Sequence, residues 1–197
     1  VGLARQWCGR LSKVDNCQTG VYASLVQGTS ATIIDCRLYL PKEWTDDRRR
    51  CKAAGVPKDV TFKTKSQLAL DIIDHARSNG IRYAWVGVDG GYGKEPLLLK
   101  TLDDEGEHFV ADVHRDQSFY LEDPAPCIPD RHSSKGRTPS LYKTGSTRMV
   151  VEQWAASQPE EAWQRISLRN STKGRLQVDI LTRRVWVWLD QKQTVRQ

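Results

Sequence analysis

Methionine is almost missing from this chain: Met149 is its only one, and the sequence opens on Val1. It therefore reads as starting inside a longer protein. No apolar run approaches the ~18–20 residues needed to span a membrane. Val1 to Arg10 lacks the charged-then-apolar pattern of a secretion signal. Membrane-spanning and exported classes are left without support. The five cysteines (Cys8, Cys17, Cys36, Cys51 and Cys127) are odd in number and form no C-x-x-C pair. That argues against a disulfide framework and against a zinc ribbon. Four scattered histidines, His75, His108, His114 and His132, show no H-E-x-x-H spacing.

What is present is ordinary globular material. Hydrophobic residues are 39% and charged residues 27% of 197, enough for a real core in one domain or one domain with an insertion. Charge is unevenly placed. Val1 to Asp130 holds 17 basic and 19 acidic residues, a net of −2, whereas Arg131 to Gln197 holds 13 basic and 5 acidic, a net of +8. A balanced first part joined to a basic second part points to a polyanion partner for the second. A plain solvated basic surface would give the same numbers.

The pattern of elements is mixed. Val21–Val26 and Ala31–Leu40, joined through Gln27-Gly28-Thr29-Ser30, predict an antiparallel hairpin. Gly2–Trp7 reads as the tail of a preceding strand whose start is absent, and Val14–Gly20 as a turn-rich entry. Ser66–Ser78 is an amphipathic helix stopped by Asn79-Gly80. Ile81–Val88 predicts a buried central strand between that helix and a second one over Lys94–Glu105, which carries Pro96 in its first turn. His108–Val113 is the next strand. Leu121–Ser146, with Pro124, Pro126, Pro129 and Pro139, reads as a long loop or linker. Short helices over Val150–Ser157 and Glu160–Trp163 and a meander over Ile166–Arg169, Gly174–Leu181 and Arg184–Leu189 close the chain. This order fits a ribonuclease H-like arrangement, and periodicity alone also allows other three-layer α/β folds.

Asp89 ends the predicted central strand, where α/β proteins place their chemistry. A carboxylate there, beside glycines that allow close approach, can ligate Mg²⁺. It can equally cap the helix that follows, and Gly90-Gly91-Tyr92-Gly93 could cradle a phosphate at that helix start. At the basic end, Lys173, Arg175, Arg183 and Arg184 flank strands bearing Trp186 and Trp188. The cations suit DNA-backbone contact. The tryptophans suit packing on one sheet face, although aromatics can also stack on unpaired bases.

Four stretches carry a resemblance: Val1–Gln18 (VGLARQWCGRLSKVDNCQ), Arg37–Thr45 (RLYLPKEWT), Gly55–Leu70 (GVPKDVTFKTKSQLAL) and Trp85–Gly93 (WVGVDGGYG). Together they resemble bacterial insertion-sequence DDE transposases of the hairpin-forming, cut-and-paste type. The likeness runs over most of Val1–Asp116, thins to Gly136 and resumes in the Trp-rich end. It implies an α/β fold with a ribonuclease H-like core, a mixed sheet with flanking helices, plus a β-rich inserted subdomain. On that reading residues 1–116 are a partial core, 117–146 a linker, and 147–197 part of the insertion.

The resemblance further implies two Asp and one Glu holding two divalent ions, Mg²⁺ or Mn²⁺. Asp89 matches the second Asp, so it is the catalytic and metal-binding residue expected here. Gly90 stands where the family usually has a second acid, while Tyr92 and Gly93 keep the pattern. The other two carboxylates are expected outside the chain, upstream of Val1 and downstream of Gln197. Asp35 and Asp112 match no catalytic position. The implied partner is double-stranded DNA at transposon ends, in a synaptic homodimer, in the bacterial cytoplasm at the nucleoid. Three functions follow: a transposase fragment inactive by itself, an inert DNA-binding remnant, or a small-molecule α/β enzyme using the Asp89 loop for a phosphate.

Overall fold

The structure, a computed structural model, describes residues 1–130, 138–171, 174–189 and 193–196. The chain divides into two units, Val1–Val86 and Gly87–Gln197.

In the first unit β1 (Ala4–Cys8) pairs antiparallel with β2 (Lys13–Cys17). β3 (Thr19–Gln27) pairs antiparallel with β4 (Ser30–Tyr39), as the alternation predicts. β2 differs from the expected turn. Its Asp and Asn are poor strand formers alone, yet Val14 sits opposite Trp7 and Asn16 opposite Arg5, and cross-strand pairing overrides propensity. The connection is tightened by Leu11 N–H donating to the Cys8 carbonyl at 3.1 Å.

Two short helices follow, α1 (Lys42–Thr45) and α2 (Arg48–Ala53), then the long helix α3 (Lys65–Ser78). A capping box starts α3. Gln67 N–H donates to Thr64 Oγ1 at 3.2 Å, and Thr64 N–H donates to Gln67 Oε1 at 2.8 Å. Its buried stripe, Leu68, Ile72 and Ala76, follows helical spacing, and α3 packs on β3 and β4. Gly80 takes a left-handed turn at φ +72°, and Ile81 N–H closes the helix by donating to the Ala76 carbonyl at 3.0 Å.

That closure explains why the run from Ile81 makes a shorter strand than expected. Its first residue completes the helix end, Trp85 is exposed, and only β5 (Val86–Val88) is strand.

The hairpin β3–β4 has two unlike faces. Cross-strand partners share a face. Val21, Ala23 and Asp35 lie toward α3, and Val21 is buried. The opposite face carries Tyr22, Val26 and Ile33, each about two-thirds exposed (65%, 64% and 64%), with Cys36 and Leu38 beside them.

In the second unit β5 leads into α4 (Gly90–Gly93) and α5 (Pro96–Asp104), with Pro96 in the first turn of α5 as expected. β6 (Phe109–Ala111) pairs with β5. β7 (Ser118–Phe119) pairs antiparallel with β8 (Met149–Val150), which runs into α6 (Val151–Ala156). A 3₁₀ turn at Glu160–Ala162 precedes the hairpin β9 (Gln164–Ser171) with β10 (Gly174–Ile180). β11 (Trp186–Leu189) pairs antiparallel with β12 (Gln193–Arg196).

The stretch expected as a linker holds structure of its own. It carries β7 and an antiparallel bridge in which Cys127 and Lys143 exchange backbone hydrogen bonds of 3.0 and 2.9 Å.

Leu98, Leu99 and Leu102 of α5 are buried, and α5 packs against β11. Phe119 meets Trp154 edge-on at 5.6 Å between centroids, and Tyr120 meets Trp188 at 6.3 Å. Tyr120 and Trp186 exchange backbone hydrogen bonds of 2.9 and 2.8 Å, which tie the Trp-rich strand to the end of β7.

The closest backbone approach lies at Gly93. A Cβ added there would stand 1.8 Å from the carbonyl oxygen of Asp112, immediately after β6. Gly93→Ala therefore forces α4 and the end of β6 apart. We expect it to cost about 3 kcal/mol, at the upper end for overpacking because the obstacle is backbone. Gly87→Ala, with open space around the added carbon, is the control and should stay within about 0.5 kcal/mol of the parent. Thermal or urea unfolding of the two variants measures both.

Candidate functional site

β5 delivers Asp89 to its C-terminal end, exposed to solvent. Asp89 caps α4: Gly91 N–H donates to Asp89 Oδ1 at 2.9 Å. The Asp89 backbone carbonyl accepts from the N–H groups of Tyr92 at 3.0 Å and Gly93 at 2.9 Å. Two glycines make so tight a turn possible. Gly91 leaves room for the carboxylate, since a Cβ there would lie 3.0 Å from Asp89 Oδ1, and Gly93 leaves room for the Asp112 carbonyl. Tyr92 lies partly buried in the same turn. Burial pushes its phenol above the ordinary value, and the Asp89 charge adds to the rise.

The cap and the metal-ligand readings of Asp89 are thus compatible. One oxygen is committed to Gly91, and Oδ2 has no hydrogen-bond partner among the described residues. A divalent ion needs more. Among the described residues no group of three or more His, Cys, Asp or Glu side chains is close enough to hold one. Asp112 contributes its carbonyl to the Gly93 contact and keeps its side chain exposed. The described residues do not make a divalent-metal site by themselves.

Asp35 lies in the first unit and does different work. Its side chain is only 11% exposed. It accepts from Cys36 N–H at 2.7 Å, from Arg37 Nη1 at 2.9 Å, and from His75 Nδ1 of α3 at 2.8 Å. Burial would raise its carboxyl, but the bond from His75, the Cys36 N–H and the Arg37 charge outweigh that and hold it below the ordinary value. This cluster fastens α3 to the hairpin. The sequence offered one hint of it, an acid inside the apolar strand around Ile33 and Ile34. His75 gave none, since it lies 40 residues away in the chain.

Of the four basic residues expected to touch DNA, Arg183 and Arg184 are brought together. They are exposed and line a groove of about 630 Å³ with Leu121, Thr182 and Trp186. Arg175 is exposed on β10 and is not part of that lining. Lys173 lies outside the described residues. Trp188 packs on Tyr120 with its indole N–H buried and unpartnered among the described residues. Trp186 is half-buried at the groove.

Residues 1–175 match the model of a family described as DDE superfamily endonuclease. The chain belongs to that family, and this agrees with the resemblance drawn from its motifs. Comparison with curated proteins and with solved structures gives no match. No helix among the described residues is long and apolar enough to cross a membrane.

The Asp35 cluster generates a pH prediction. A carboxyl whose folded value is depressed stabilises the fold above its unfolded value, near pH 3.9, and that contribution is lost as pH falls through the folded value. Asp35→Asn should destabilise the chain near neutral pH by about 1.5–3 kcal/mol, the scale of charge-assisted hydrogen bonds. Parent and variant should converge as pH falls through the depressed folded value. Urea unfolding across pH 2 to 7 checks this, and an equal gap at every pH would contradict it.

Proposed function

We propose that the chain is a portion of a bacterial insertion-sequence DDE transposase, acting in metal-dependent cleavage and strand transfer of DNA. The observation that carries this is the family match over residues 1–175 together with Asp89 standing exposed at the end of β5. In this reading the fold is a ribonuclease H-like core with a β-rich insertion. Residues 1–116 belong to the core, 117–146 link, and 147–197 belong to the insertion. The partner is the duplex at transposon ends, bound by a homodimer at the nucleoid of the bacterial cytoplasm. Mg²⁺ or Mn²⁺ is the cofactor the reading implies.

Asp89 is the catalytic carboxylate this chain contributes. Its Oδ1 is held by Gly91 and its Oδ2 has no hydrogen-bond partner among the described residues, so one oxygen holds position while the other is available as a ligand. The turn gives the carboxylate a set direction. The remaining carboxylates lie outside this chain in the proposal, so the 197 residues alone neither cut nor join DNA. The incomplete donor set among the described residues also favours a second reading, an inert DNA-binding remnant. The phosphate-binding alternative is weakened by Asp89 itself, which occupies the Gly91 N–H that a phosphate would need.

Asparagine caps a helix as well as aspartate does. Asp89→Asn should therefore leave the unfolding temperature nearly unchanged. In the longer protein that includes both flanks, Mg²⁺-dependent cleavage should fall at least ~10³-fold, because a metal-ligand charge is lost. Full cleavage by that variant would refute the catalytic role. Metal-dependent cutting by the 197-residue chain alone would refute the incomplete site. No cleavage by the longer parent protein would favour the remnant.

Binding is tested separately. Each phosphate contact contributes about −0.9 to the slope of log affinity against log salt. Replacing Lys173, Arg175, Arg183 and Arg184 with Ala should flatten that slope by about 3.6 if all four touch phosphates. An unchanged slope would remove this surface from the DNA-binding account.

A further inference from the structure

We infer that the exposed face of α2 in the first unit, with the turn that follows it, is an additional contact for the phosphate backbone of duplex DNA. The inference rests on the proposal above that the partner is DNA, and it concerns residues that proposal leaves unassigned. From Arg48 to Lys58 the chain holds five basic residues and no acidic one. Arg48, Arg49, Arg50 and Lys52 sit on a helix of six residues. Crowding like charges at (i, i+3) and (i, i+4) weakens a helix, so helix stability gives no reason for Arg49 and Lys52 to be basic.

The helix is held in one orientation from its other side. Cys51 is buried, and its Sγ donates to the Trp44 carbonyl at 3.1 Å. With about 100° per residue, Arg48, Lys52 and Arg49 fan out from roughly 60° to 160° away from Cys51. Arg48 Nη1 donates to the carbonyls of Lys58 at 3.4 Å and Val60 at 3.0 Å, which brings the turn carrying Lys58 beside this arc. Arg50 lies on the other flank, with its guanidinium 3.7 Å from the centre of the Trp44 ring.

Four cations elsewhere in the unit are treated differently, although Arg5, Arg10, Lys42, Lys65 and Arg82 share the lack of a carboxylate partner among the described residues. Lys13, Arg37, Lys63 and Arg77 each have a carboxylate partner. None of Arg48, Arg49, Arg50, Lys52 and Lys58 is paired with a carboxylate among the described residues. Carbonyls and an aromatic ring fix Arg48 and Arg50 in place without cancelling their charge. The neighbouring Asp47 is engaged as the cap, accepting from Arg50 N–H at 2.9 Å. The result is a row of placed positive charge that no carboxylate pairs among the described residues, bounded in the chain by Asp46, Asp47 and Asp59. A polyanion with regularly spaced charges is the ligand such a row fits.

The test uses the full chain and a fluorescent duplex, with binding measured by anisotropy at several salt concentrations. The variant is Arg49→Ala, Lys52→Ala and Lys58→Ala together. It spares Arg48 and Arg50, which hold the local fold. The salt slope should flatten by about 1.8–2.7, for two or three lost phosphate contacts. Affinity at low salt should drop at least ~10-fold, to the same degree for unrelated duplex sequences. The charge-preserving set Arg49→Lys, Lys52→Arg and Lys58→Arg should bind within about twofold of the parent.

Should the alanine variant lose its circular dichroism, Arg49→Gln alone replaces it, and a slope flattened by about 0.9 supports the inference. Parent-like affinity and slope in the alanine variant, or in Arg49→Gln if that replaces it, overturn it. In that case loss of binding on changing Arg175, Arg183 and Arg184 would leave the DNA reading standing. No salt-dependent binding by the parent chain would overturn both.

Discussion

The contact on which the site depends is one between two stretches of backbone. Gly93 approaches the Asp112 carbonyl so closely that no side chain fits between them. That fixes α4 against the end of β6, and β6 in turn is bonded to β5 through Asp112 N–H and the Val88 carbonyl at 3.0 Å. Asp89 lies between these two fixed points. Its carboxylate then has little freedom, because one oxygen is bonded to Gly91 and its carbonyl receives Tyr92 and Gly93. The small residues of this segment set the position of a charged one. A side chain fixed by its own backbone turn in this way pays its ordering cost on folding rather than on meeting a ligand.

Much of this was legible in the sequence, for local reasons. The β3–β4 hairpin, α3 and α5 follow from alternation, helical spacing, the Asn79-Gly80 stop and Pro96, each read within a few residues. Asp89 was legible from its place after an apolar run and from the WVGVDGGYG motif. Features that depend on distant partners were not. β2 exists because Trp7 and Arg5 stand opposite it. The Cys127–Lys143 bridge and the Tyr120–Trp186 pairing join segments that share no local pattern. The Asp35–His75 bond likewise needed α3 to be laid on the hairpin first. Averaged charge hid the α2 cluster, since acids elsewhere in Val1–Asp130 bring that stretch to −2.

Charge is sorted by environment as well as by position. Where α3 meets the hairpin, Arg37 and His75 face Asp35, and Lys63 faces Asp71 at 2.6 Å. An exposed pair such as Lys63–Asp71 contributes little stability, roughly 0–1 kcal/mol, whereas the nearly buried Asp35 contributes more. Such pairs do remove free cations from the surface they occupy. On β9–β10, Arg165 and Asp179 form a similar pair at 2.8 Å across the hairpin. The cations at Arg183 and Arg184 line a groove instead, and Trp186 supplies a flat wall beside them. The two treatments of the same residue types separate surfaces that hold themselves together from surfaces open to a counterion.

The bare face of the β3–β4 hairpin has a practical consequence for anyone handling the protein. Tyr22, Val26, Ile33 and Leu38 form an apolar strip on a ribbon of only two strands. Such a strip invites self-association, and at low ionic strength the net charge of +6 keeps molecules apart. Concentrated salt, the usual means of stripping nucleic acid from a basic protein during purification, shortens the screening length to about 3 Å at 1 M. The same wash that cleans the preparation removes the repulsion that keeps it dispersed. High salt therefore gives up electrostatic repulsion where an apolar strip is exposed, and a moderate salt suits the protein better than a brine.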